Sequence, residues 1–222
     1  MKNKRLFIFI TFIYCYTLMT AQTLHNPLLE DFTTPHQTFP FDKIKTVHYL
    51  PAFREAMKMQ QKEITAIVSN KQAPSFKNTI EALERSGKRL SRVQGIFFNL
   101  LHAETNAEME QIAEEISPEL TEHGNNIFLN DSLFVRVKKV YEKREQLKLT
   151  PEQLTLLKNT YDAFANRGAN LSESDKQIYR AYSKELNLLE LQFGQNVLKE
   201  TNKFQLHITD KTQLSGLPED IL

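Results

Sequence analysis

The chain has 222 residues, with 28 Lys and Arg against 27 Asp and Glu and a formal net charge of +1. Such a balance excludes the strongly basic surface that nucleic acid or an anionic membrane demands. One cysteine excludes a disulfide framework, and six glycines with eight prolines favour long helices over turn-rich sheet.

At the N-terminus, Lys2, Lys4 and Arg5 precede the apolar run Leu6 to Met19, and Thr20-Ala21-Gln22 follows. A basic start, a short apolar run and a small residue make a secretory signal peptide. The run falls short of the roughly 20 residues that a spanning helix needs. Residues 1–21 are therefore expected to be cut off near Ala21, leaving an exported, periplasmic chain with no membrane anchor. Met19 departs from the small residue usual before such a cut. Cys15 lies inside the run behind Tyr14, which is no lipid-anchor context, so the mature chain has no cysteine. Removing three basic residues also turns its net charge slightly negative.

Residues 22–42, with Pro27, Pro35 and Pro40, read as an irregular segment, and residues 43–222 as one helical domain. Val47, Leu50, Phe53, Met57, Ile64 and Ile67 or Val68 share one stripe of a first helix that runs to about Ser69. A second carries Leu83, Leu90, Val93, Phe97, Leu100 and Leu101, and Gly87 bends or divides it. A third opens at Thr105 or Asn106, with Thr105 and Glu108 at capping-box spacing. Met109, Ile112, Ile116 and Leu120 form its stripe, and Pro118 should kink it. A fourth starts after Asn130 or Asp131 and carries Phe134, Val137, Val140 and Tyr141. A fifth has Thr150 as N-cap, Pro151 at the first helical position, Gln153 closing the box and Gly168 past its end. A sixth starts at Ser172, with Ile178, Tyr182, Leu186, Leu189, Phe193 and Val197 as its stripe to about Thr201. Lys203 to Thr209 alternates and reads as one short strand. Pro218, Glu219 and Asp220 then read as a helix start on which the chain stops at Leu222, as if cut from something longer. The expected fold is mainly α with that single strand.

Chemistry is harder to find. No two of His25, His36, His48, His102, His123 and His207 have the four-residue spacing of an H-E-x-x-H zinc helix. His102-Ala103-Glu104 matches the H-x-E of zinc deaminases, but the P-C-x-x-C that must accompany it needs cysteines that are not there. Ser86-Gly87-Lys88 falls short of a phosphate loop, because position 82 is Ala and position 89 is Arg. The carboxylates of Ala113 to Glu119 read as a solvated face without a basic partner. His48, beside Tyr49 and near Phe53, reads as a packed, hydrogen-bonded residue that sets a helix into the core. No catalytic, cofactor-binding or metal-binding residue is assigned.

The order of motifs nevertheless has a resemblance. "NPLL" (Asn26 to Leu29), "FPFDKIKTVHYLPAF" (Phe39 to Phe53) and "FKNTIEALERSG" (Phe76 to Gly87) resemble the start of the thimet-oligopeptidase family of zinc metallopeptidases. "TNAEMEQ", "IFLNDSLFVRV", "LTPEQLTLL", "QFGQNVLKETNKFQL" and "LSGLPE" continue the resemblance in order over Asn26 to Leu222. The stretches "NTIEALERSG" and "HAETN" are most similar to the bacterial peptidyl-dipeptidase (Dcp-like) branch, with oligopeptidase A second. The resemblance implies an N-terminal helical domain that forms one wall of a narrow channel and acts on short peptides in the complete enzyme. It also implies a C-terminal catalytic domain as partner, which would carry zinc on H-E-x-x-H and a further glutamate. This chain has no such motif and is expected to bind no zinc itself. The competing reading is a stand-alone helical binding module without catalysis.

Overall fold

The structure is a computed structural model that describes residues 25–218. The expected signal segment and the acidic turn after Pro218 lie outside the described residues. The described chain is mainly α, with no strand among its residues. Short 3-10 turns at Pro27–Leu29 and Pro35–Gln37 interrupt an otherwise irregular start. Helix α1 spans Tyr49–Val68. A π-helical turn at Phe76–Glu81 runs into the short α2, Ala82–Arg85. Then come α3 (Lys88–Ala103), α4 (Ala107–Phe128), α5 (Asp131–Glu142), α6 (Pro151–Asn166) and α7 (Glu173–Lys203).

The boundaries follow local chemistry. Thr150 and Gln153 form the expected reciprocal box, with the Gln153 N–H donating to Thr150 Oγ1 at 3.3 Å and the Thr150 N–H to Gln153 Oε1 at 3.0 Å. Asn130 accepts from the Leu133 N–H at 2.9 Å, and Ser172 from the Asp175 N–H at 3.2 Å. At α4 the cap is one residue later than the Thr105 box, because the Asn106 side chain accepts from the Met109 N–H at 3.0 Å. Pro118 lies within α4 without interrupting it. Gly87 divides α2 from α3 at a φ of 71°, and Gly168 takes a φ of 87° past the end of α6.

Two apolar clusters make the core. One gathers Leu28, Tyr49, Phe53, Val93, Phe97 and Ile116 from the N-terminal turn, α1, α3 and α4. Tyr49 and Phe53 meet Phe97 edge-on, with ring centroids 5.0 and 5.3 Å apart. The other gathers Ile64, Ile80, Leu133, Val137, Leu157 and Phe164 from α1, the π-helical turn, α5 and α6. Each such side chain contributes about 1.5–3 kcal/mol through burial. Val47, expected in the first stripe, is 62% exposed because it sits in a 3-10 turn ahead of α1 rather than on the helix.

The expected strand does not form. Phe204 to Asp210 has no regular structure, and Phe204, Leu206 and Ile208 are exposed. Alternation makes a strand only where a second extended segment supplies hydrogen-bond partners, and none lies beside this one among the described residues.

Candidate functional site

The residues weighed for chemistry stay apart. His48 ends a 3-10 turn at Thr46–His48 and leads into α1. Its Nδ1 accepts from the Lys45 N–H at 3.0 Å, and its carbonyl accepts from the Asn26 amide at 2.7 Å. It therefore ties the irregular segment to the start of α1. His102 is exposed near the end of α3, and Glu104 follows that helix as its C-cap. The Gly87 N–H donates to Glu63 Oε2 at 2.8 Å, so a carboxylate occupies the side where a phosphate would need to sit. His123 faces Gln60 Oε1 at 2.8 Å, and burial holds its ring below the ordinary imidazole range.

The carboxylate cluster of α4 does have a basic partner. Arg54 of α1 reaches Glu115 at 2.7 Å and Glu119 at 2.6 Å. Its hydrogen bonds to Glu119 and then Glu115 hold the guanidinium above its usual range. The partner lies 61 and 65 residues away in sequence, beyond the reach of local spacing. The pair is exposed, so its worth is at most about 1 kcal/mol. Among the described residues no three His, Cys, Asp or Glu side chains stand together to hold a metal ion.

The distinctive surface is α7. Its predicted apolar stripe forms on the helix but faces away from the domain. Ile178, Tyr182, Leu186, Leu189, Phe193 and Val197 are all exposed, Phe193 at 71%. Phe204, Leu206 and Ile208 beyond the helix are exposed as well. Contiguous exposed apolar surface of this kind marks an interaction face.

The inner face of α7 mixes half-buried Leu188, Leu191 and Leu198 with polar groups. Lys176 is buried and pairs with Asp131 of α5 and with Glu173. Burial pulls its ammonium down, but the hydrogen bonds to Asp131 and Glu173 outweigh that and leave it above the usual lysine range. Arg180 donates to Glu122 and Asn126 of α4, each at 2.9 Å. Asn125 donates to the Ser183 hydroxyl at 2.9 Å, and Lys199 pairs with Glu110 at 3.1 Å. A cleft of about 490 Å³ lies between α3, α4 and α7, lined among others by Gln94, His102, Asn125, Asn187 and Leu191. Amphipathicity identified the helix, but nothing in the sequence period says which face meets the domain.

No family model matches the chain. The dipeptidyl carboxypeptidase of Escherichia coli (strain K12) is 40% identical over 197 residues, which is 89% of this chain and 29% of that protein. A probable cytosolic oligopeptidase A of Arabidopsis thaliana is 27% identical over 89% of this chain and 27% of its own length. Oligopeptidase A of Escherichia coli (strain K12) is 24% identical over 89% of this chain and 28% of its own length. The chain thus spans less than a third of the length of these curated relatives. In sequence it corresponds to an N-terminal portion of this peptidase family, with higher identity to the dipeptidyl carboxypeptidases than to the oligopeptidases A.

Proposed function

We propose that this chain is the N-terminal helical domain of a zinc-dependent peptidyl-dipeptidase or oligopeptidase that hydrolyses short peptides. In this reading it forms one wall of the substrate channel and has as partner a catalytic domain of the same enzyme. The observation that carries the reading is the 40% identity to a dipeptidyl carboxypeptidase over 197 residues. The outward apolar face of α7 supports it, since a domain that packs on a larger body needs such a face.

Zinc, when bound in the catalytic domain, would polarise the scissile carbonyl and activate water. The described residues offer no ligand set for it. Their contribution is to shape and position. Among the described residues no helix is long and apolar enough to cross a membrane. Export with a cut near Ala21 is part of the proposal, supported by the pattern of Lys2 to Ala21. Sequencing of exported protein should read from about Gln22, and a start at Met1 would overturn that part.

The main test is release of C-terminal dipeptides from a blocked peptide, with zinc content measured alongside. The chain alone should be inactive. The chain together with polypeptide equivalent to the remainder of the dipeptidyl carboxypeptidase should be active and chelator-sensitive. Turnover by this chain alone would overturn the proposal. Indifference to the added polypeptide would instead favour a stand-alone binding module, for which the same α7 face is the supporting observation.

A further inference from the structure

We propose that the cleft between α3, α4 and α7 binds a short peptide whose amino and carboxyl ends are both free. The proposal rests on the cleft alone and goes beyond the peptidase reading.

The helices give the cleft its length. α4 and α7 run antiparallel, since Arg180 reaches Glu122 and Asn126 whereas Lys199 reaches Glu110. The cleft follows α4 from Ser117 to Phe128, a rise of about 16 Å along the helix. An extended chain covers roughly 3.3–3.6 Å per residue, so about three or four residues fit lengthwise. The volume of about 490 Å³ lies in the range of small-molecule sites.

The two ends carry opposite charges. Arg167, just past α6, lies over the Phe128 ring at 4.0 Å, and both line the cleft where α7 begins, near Tyr179. Glu190 lines the other end, together with Leu191 and with His102 of α3. Among the described residues neither Arg167 nor Glu190 has an ion-pair partner. A carboxylate at the Arg167 end meets a planar fork of donors, and an ammonium at the Glu190 end meets a carboxylate. Between them stand the amides of Gln94, Asn125 and Asn187 and the apolar side chains of Phe98, Leu120 and Leu191. Amides both donate and accept, as the N–H and C=O groups of a peptide require. The apolar side chains offer contact to small side chains. A single amino acid is too short to reach both charges, and a loop of a protein has no charged ends to offer.

NMR titration of the isotope-labelled full chain with tri-alanine tests this. Saturable shifts should appear at residues 94–102, 117–128 and 179–191, with α5 unaffected. Acetylating the peptide's amine or amidating its carboxylate should each weaken binding by at least roughly fivefold. Blocking both ends should abolish it, and alanine alone should bind more weakly than tri-alanine. Arg167→Gln should erase the preference for the free carboxylate, and Glu190→Gln the preference for the free amine. No saturable shift with millimolar tri-alanine would overturn the proposal. Equal binding of the doubly blocked peptide would also overturn it, since the cleft would then be a general groove for chain segments. That comparison uses the unmodified chain, so it stands even if a variant fails to fold. A preference for free ends that survives both substitutions would overturn the assignment of Arg167 and Glu190. Binding is read without turnover, so failure here and failure of the functional proposal are distinguishable.

Discussion

Asn125 of α4 donates to the hydroxyl of Ser183 on α7 across 2.9 Å, and this neutral bond lies midway along the contact that holds the longest helix to the domain. Leu191 packs partly against the first core cluster, but much of the contact between α4 and α7 is made by hydroxyls, amides and ion pairs. An amphipathic helix ordinarily buries its apolar stripe. Here the stripe of Leu189 and Phe193 stands in solvent, so the two sides of α7 answer to different partners.

The first prediction separates that outer stripe from the core. Leu189→Gln with Phe193→Gln should change unfolding free energy by less than about 0.5 kcal/mol, as for surface positions. Phe97→Ala, which empties a fully buried site, should cost about 3–5 kcal/mol. Urea unfolding measures both. Light scattering should show less self-association of the double variant than of the parent chain, because the apolar face is what copies would share. An equal loss of stability in both variants would mean that the stripe is already covered.

Gly87 provides a second test. Its φ is 71°, and a Cβ there would come within 2.2 Å of Gln60 Nε2. Gly87→Ala should therefore destabilise through two effects, with the left-handed conformation alone costing about 1–2 kcal/mol. Adding Gln60→Ala removes the collision but not the backbone strain, and because it also removes the His123 bond the double variant is compared with Gln60→Ala alone. The double variant should accordingly recover only part of the loss in a thermal melt. Full recovery would show that strain is negligible, and no recovery that Gln60 simply swings away.

His123 predicts a pH effect. Burial lowers its pKa from the ordinary 6.5, so the fold favours the neutral ring facing Gln60. The unfolded chain takes up a proton at the higher value. The stabilising contribution is thus fully present above about 6.5 and is lost as pH falls through the lower folded value. His123→Gln should flatten the stability curve between about pH 7 and about pH 5. An unchanged slope would assign acid sensitivity to other groups.

These sites differ in how much the sequence reveals. The Thr150 box and the Gly168 terminator are local devices, so their residues announce them within a few positions. The core stripes of α1, α3 and α5 are legible because period and partner agree. Thr105 and Asn106 are both good caps side by side, and only backbone geometry chooses Asn106. The alternation at Phe204 to Thr209 states a preference, but a strand also needs a partner edge. Arg54 with Glu115 and Glu119, and the orientation of α7, depend on contacts between distant segments, which spacing along the chain does not encode.

The last prediction concerns Arg136, a buried guanidinium that no local pattern marks. It donates to the carbonyl of Asn70 at 2.9 Å and to Asn78 Oδ1 at 3.2 Å, bracing the connection between α1 and the π-helical turn. No carboxylate pairs with it among the described residues, so its value lies in hydrogen bonds from a charged donor to a backbone carbonyl and a side-chain amide. Such bonds are worth about 1.5–3 kcal/mol. Arg136→Met keeps the apolar stem but removes the donor to the Asn70 carbonyl and one of the donors to Asn78 Oδ1, and should lose stability in that range. Arg136→Lys restores the charge but not the planar fork that reaches both acceptors at once. It should recover less than half of the loss. Hydrogen exchange should quicken at residues 70–78 in both variants and leave α3 unaltered. If lysine restores full stability, charge rather than fork geometry holds the loop.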